Sequence, residues 1–182
     1  MKLAMRYVAL ATATTTTAGM LLFGGAVPAS AAPDDTAATV TVTGGALEIS
    51  VPTSAGSLGT MANTVDGGTI SGSLGQVQVT DARSAAAGSG WVASVIATAF
   101  TPPAGPTIGA ANVSYSAGTI VKTGTATYTA NNPGNLTGAS PAVTATGITG
   151  DNSATWNPTI SVNIPGGTVA ATYSAVITHS VV

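Results

Sequence analysis

From Thr39 onward the sequence offers no ten-residue run with helical periodicity; Thr and Val positions alternate at period two between frequent Gly and Pro breaks. Such a chain folds as strands joined by turns. Thr39-Val40-Thr41-Val42-Thr43 alternates, Gly44-Gly45 permits positive φ, and Leu47, Ile49 and Val51 alternate again before Pro52, which together predict a hairpin. After a Gly- and Ser-rich connection holding Asp66-Gly67-Gly68, one strand is expected through Val77 and Val79 to Asp81. Another is expected from Trp91 to Phe100, with Ser84 to Gly90 as the loop between them. Pro102-Pro103 and Pro106 end that strand. Val113-Ser114-Tyr115 and Thr125 to Thr129 read as further strands, and Asn131-Asn132-Pro133-Gly134-Asn135 as a turn. Ile160, Val162 and Ile164 alternate, Pro165-Gly166-Gly167 interrupts, and Tyr173, Ala175, Ile177, His179 and Val181 alternate to the end. Each one-sided sheet must bury its apolar face against another, so the expected fold is all-β: a single antiparallel β-sandwich or Greek-key barrel over residues 39–182.

The first 31 residues read differently. Lys2 and Arg6 precede an apolar stretch sharpening into Met20-Leu21-Leu22-Phe23 and closing on Pro28-Ala29-Ser30-Ala31, the pattern of a secretory signal peptide cut after Ala31 or Ala32. Thr12 and Thr14 to Thr17 interrupt that stretch, which leaves it short of the ~20 apolar residues a bilayer span needs. No later segment is apolar enough to span, and Val181-Val182 falls within a strand pattern, which argues against a C-terminal membrane or sortase anchor. Residues 32–38, with Asp34-Asp35, read as a flexible start to the exported chain, whose acids are solvated rather than calcium-binding. The expected location is therefore secreted, extracellular or wall-associated.

With no cysteine, disulfides, a lipid-bearing thiol and thiolate metal sites are all excluded, and core burial alone must stabilise the domain. Removal of Lys2 and Arg6 leaves Arg83 and Lys122 against six acids, a net charge near −4. That balance excludes nucleic acid as a partner.

Enzyme chemistry has little to draw on. His179 is the single histidine, and its strand neighbours Tyr173, Ile177 and Val181 place it at the rim of a core rather than in a triad. Glu48, Asp66, Asp81 and Asp151 show no spacing that predicts a carboxylate pair, and no set of metal ligands or cofactor motif stands out. Asp81-Ala82-Arg83 puts opposite charges on one side of a strand end, which predicts a structural ion pair. Trp91, Trp156, Tyr115, Tyr128 and Tyr173 are either core or stacking platforms for sugars; the apolar strand around Trp91 favours burial there, while Trp156, beside Asn157-Pro158, is open to either reading.

The order Val77-Gln78-Val79-Thr80-Asp81-Ala82-Arg83, a small-residue loop, Gly90-Trp91-Val92-Ala93-Ser94-Val95, then Ile164-Pro165-Gly166-Gly167 and Tyr173-Ser174-Ala175-Val176-Ile177-Thr178-His179-Ser180-Val181 resembles the WxL domain of Gram-positive surface proteins. The two Trp-x-Leu motifs are altered, to Trp91-Val92-Ala93 and His179-Ser180-Val181. The resemblance implies non-covalent attachment to the cell wall through peptidoglycan. The expectation is a non-enzymatic surface protein with no cofactor, binding peptidoglycan or another wall component around Trp91, Tyr173, His179 and Trp156. The alternative is a subunit that self-associates, or joins other surface proteins, through weakly charged Thr-rich strand edges.

Overall fold

The alternating segments form eight strands: β1 (Leu47–Ser50), β2 (Gly68–Ser73), β3 (Val77–Ala97), β4 (Val113–Ser116), β5 (Ile120–Ala130), β6 (Ser140–Trp156), β7 (Thr159–Ile164) and β8 (Ile177–Val181). They are seen in a computed structural model that describes residues 37–182, within which Thr41–Val182 make one compact unit. The expected signal peptide and Asp34-Asp35 lie outside the described residues.

A five-stranded antiparallel sheet has the order β1-β3-β6-β5, and a three-stranded sheet the order β2-β7-β4. β3 and β6 are the spine of the larger sheet, paired from Val77 opposite Trp156 to Val95 opposite Ser140. The far side of β3 is shared end to end. β1 pairs with Gln78–Asp81 and β8 with Ala93–Ala97, while β5 covers the far side of β6. The sheets stay open at these edges, so of the two expected architectures the fold is a sandwich and not a closed barrel.

Period-two burial builds the core between the sheets. Val77, Val79, Trp91, Ala93 and Val95 of β3 and Ala145, Ile148, Ala154 and Trp156 of β6 face Val113, Tyr115, Ile160 and Val162 of the smaller sheet, all of them buried. Phe100, Ile108 and Leu136, from the connections, add to the same core. Burial of this kind is worth roughly 25 cal/mol per Å² of apolar surface, and with no disulfide it carries the stability of the sandwich.

Three expectations are corrected. The hairpin across Gly44-Gly45 does not form: residues 37–46 are in no strand, and β1 pairs with β3 instead. That pairing packs Leu47 and Ile49 against the core, a gain that solvent-facing Val40 and Val42 cannot match. The glycines let the chain run close beside β3, since a Cβ on Gly44 would lie 2.7 Å from the Arg83 carbonyl oxygen. Second, Ser84 to Gly90 is not a loop between two strands. β3 runs through it with register shifts, pairing Ala85 with Gly150 and Ser89 with Ile148, and Ser84 takes a φ of 53° with its amide and hydroxyl both donating to Asp151 Oδ1, at 3.0 and 3.2 Å. Third, the connection after Asp66 contains a strand, β2, which pairs with the whole of β7.

Gly90 precedes Trp91 where β3 and β6 draw together, and a Cβ there would stand 2.7 Å from the Ala145 carbonyl oxygen. We expect Gly90→Ala to force the two spine strands apart and cost about 1–3 kcal/mol, measured as a lowered urea midpoint.

Candidate functional site

Two polar clusters interrupt the apolar interior. The first begins with Asp81, which continues the inward alternation of Val77 and Val79 on β3 and has no exposed surface. Burial of a charge is tolerated only if it is fully bonded. Oδ1 accepts from Arg83 Nε at 2.8 Å and from the Arg83 amide at 3.1 Å. Oδ2 accepts from Arg83 Nη2 at 2.9 Å and from Asn152 Nδ2 at 3.2 Å. Arg83, whose side chain is 38% exposed, thus carries its charge from the surface onto a buried carboxylate in a bidentate fork. The guanidinium holds the Asp81 carboxyl below the usual value near 3.8 against the opposing push of burial.

Asn152 lies directly opposite Asp81 on β6 and extends the cluster. Its Oδ1 accepts from Trp91 Nε1 at 3.0 Å and from the Tyr128 hydroxyl at 3.1 Å. The amide orientation follows from the partners, because the indole can only donate and the carboxylate can only accept. The Trp91 and Tyr128 rings meet tilted, with centroids 5.7 Å apart. Burial, and secondarily the Asp81 charge, pushes the Tyr128 hydroxyl pKa upward. The Asp81 carboxylate and the Asn152 amide oxygen are both fully engaged inside this cluster, and what it presents to solvent is the outer edge of the Arg83 guanidinium.

The second cluster joins the two sheets. Trp156 Nε1 donates to the Tyr115 hydroxyl at 2.7 Å, and that hydroxyl lies 3.3 Å from His179 Nε2. The rings of Tyr115 and His179 meet edge to face at 5.6 Å. Burial pushes Tyr115 up to about 12 and His179 down to about 4, so both are neutral at pH 7. The Tyr115 hydroxyl accepts from the indole and shares a hydrogen bond with His179 Nε2, whose direction follows the imidazole tautomer. The other ring nitrogen, Nδ1, is buried and has no hydrogen-bond partner among the described residues.

His179 belongs to the wall of a cleft of about 730 Å³ roofed by residues 51–61 and by the segment before β8. Tyr173 stands in the same wall, its hydroxyl donating to the Val169 carbonyl at 2.9 Å. Phe100, Ile108 and Ile164 supply apolar floor, and Thr53, Ser57 and Thr172 supply hydroxyls; no Asp, Glu, Lys or Arg is among the lining residues.

Of the residues expected to bind a ligand, Tyr173 and His179 come together at this cleft. Trp91 and Trp156 do not join them as binding surfaces. Each is only 2% exposed, with its indole N–H already engaged by Asn152 or Tyr115, so neither offers a ring face to a sugar. Trp156 reaches the cleft only through Tyr115. Sequence reasoning missed Asn152, whose strand, β6, has few large apolar residues to mark it, and missed the 51–61 roof, which has no periodicity. Among the described residues, no three His, Asp or Glu side chains are grouped so as to hold a metal ion. Compared with protein-family models, curated proteins and solved structures, the chain has no match.

The lowered His179 value gives a pH signature. The folded state disfavours the imidazolium, so the unfolded chain binds the extra proton first and stability is lost as pH falls from 6.5 toward about 4. Chemical denaturation from pH 7 to 4 should show this slope in the native chain and a shallower one in His179→Gln; equal slopes would mean that the imidazole titrates freely.

Proposed function

We propose that this is a secreted, non-enzymatic surface protein that attaches non-covalently to the cell wall, and that the Tyr173–His179 cleft is its binding site. The observation that carries the reading is the character of the cleft, free of Asp, Glu, Lys and Arg, with Tyr173 and His179 in its wall and the hydroxyls of Thr53, Ser57 and Thr172 beside them. Such a surface suits a neutral polymer of sugars and amides, which is held by stacking and by directed hydrogen bonds rather than by charge. The resemblance to WxL domains supports the same reading, because its Asp81, Arg83 and Trp91 positions carry the buried network and its last strand carries His179. In this account the altered first motif keeps a structural indole, and the altered second motif puts a histidine at the cleft.

Cosedimentation with purified peptidoglycan sacculi tests the proposal. The exported chain should pellet saturably and, with no charge in the cleft, raised salt should leave the pelleted fraction unchanged. Tyr173→Ala should weaken binding about tenfold, the loss of one stacking contact, with its circular dichroism unchanged. A chain that stays in the supernatant at all wall concentrations, or a Tyr173→Ala variant that binds like the parent, contradicts the assignment.

A further inference from the structure

The strictest strand pattern in the sequence, Thr39 to Thr43, is in no strand of the structure, and Val40 and Val42 are 90% and 83% exposed. At the far side of the larger sheet, β5 is paired among the described residues on one side only, with β6. We propose that residues 39–43 add as a strand to the open edge of β5 in a second copy of this chain, an interaction that goes beyond wall binding and does not depend on it.

The side-chain patterns match. On β5, Ile120, Ala126, Tyr128 and Ala130 pack against the core, while Val121, Thr123, Thr125, Thr127 and Thr129 are exposed. A strand laid beside it with Val40 and Val42 on the inner side extends the apolar face, and Thr39, Thr41 and Thr43 continue the outer row of threonines. Charge does not oppose the pairing: residues 37–47 contain none, and β5 contains only Lys122, whose ammonium sits 5.8 Å over the Tyr128 ring. From Thr125 to Ala130 the edge has neither proline nor charge, the usual devices against edge pairing.

The same contact within one chain is out of reach. Gly44 lies against Arg83 on the β1 side of β3, with β3 and β6 between it and β5. Reaching the open side of β5 takes four strand spacings, about 19 Å at ~4.8 Å each, and five extended residues reach only about 17 Å. A contact between two different surfaces is heterologous and propagates head to tail.

The test is sedimentation equilibrium over a wide concentration range on the chain from residue 32, which retains the whole compact unit. The expected result is a weight-average mass that at least doubles with concentration, a Val40→Asp/Val42→Asp variant that stays monomeric with an unchanged near-ultraviolet spectrum, and a fall in the parent's mass when a peptide of residues 37–45 is added in excess. Mixing the double variant with the parent should also shorten the assemblies, because the variant keeps its β5 edge but donates no strand. A parent chain monomeric throughout, a double variant that assembles like the parent, or a peptide without effect overturns the proposal. No wall polymer is present, so the result is independent of the sacculus experiment.

Discussion

A carboxylate with no exposed surface constrains everything around it. Asp81 stands in the inward row of the longest strand, where its ionised oxygens need four donors, and three of these come from Arg83 two residues along. The fourth comes from the residue directly across the ladder, so the bond to Asn152 is also a register pin between β3 and β6. A slip of one residue by either strand would turn its side chain to the opposite face and separate Asn152 from the charge. Trp91 and Tyr128 then complete Asn152 from β3 and from β5, which ties three strands of the larger sheet to one amide.

This dependence explains the division of labour between the two tryptophans and the cleft. Both indoles are spent on internal acceptors, one within the larger sheet and one between the sheets. The cleft proposed as the binding site lies instead where β8 and residues 51–61 meet, with His179 in its wall. There the contacts from Trp156 through Tyr115 to His179 hold a neutral imidazole with its Nδ1 buried. The core therefore supplies the apolar floor of the cleft, through Phe100 and Ile108, while both indoles stay buried beneath it.

Much of this was legible in the chain. Period-two alternation located β4, β7 and both ends of β3, and Asp81-Ala82-Arg83 announced the ion pair, because such signals depend on neighbours two residues apart. β6 escaped notice although it is central. It is built from Ala, Thr and Gly with few large apolar residues, and it gains its burial from strands on both sides rather than from its own pattern. Asn152 was invisible for the same reason: its role exists only once Asp81, Trp91 and Tyr128, distant in sequence, converge on it. The failed hairpin at Gly44-Gly45 shows the opposite error, a strong local signal overridden because β3 offered Leu47 and Ile49 a core to pack against.

The most direct measure of the central claim is the stability of Asn152→Asp relative to the native chain as a function of pH. At neutral pH the substitution keeps the shape and the two accepted bonds but sets a second carboxylate against Asp81, which should cost about 3 kcal/mol or more. As the pH falls and the new carboxyl takes up a proton, it can donate to Asp81 again, and the deficit should shrink. An Asn152→Asp chain as stable as the parent at pH 7, or a deficit that does not change with pH, would contradict the view that a fully bonded, buried Asp81 organises this sandwich.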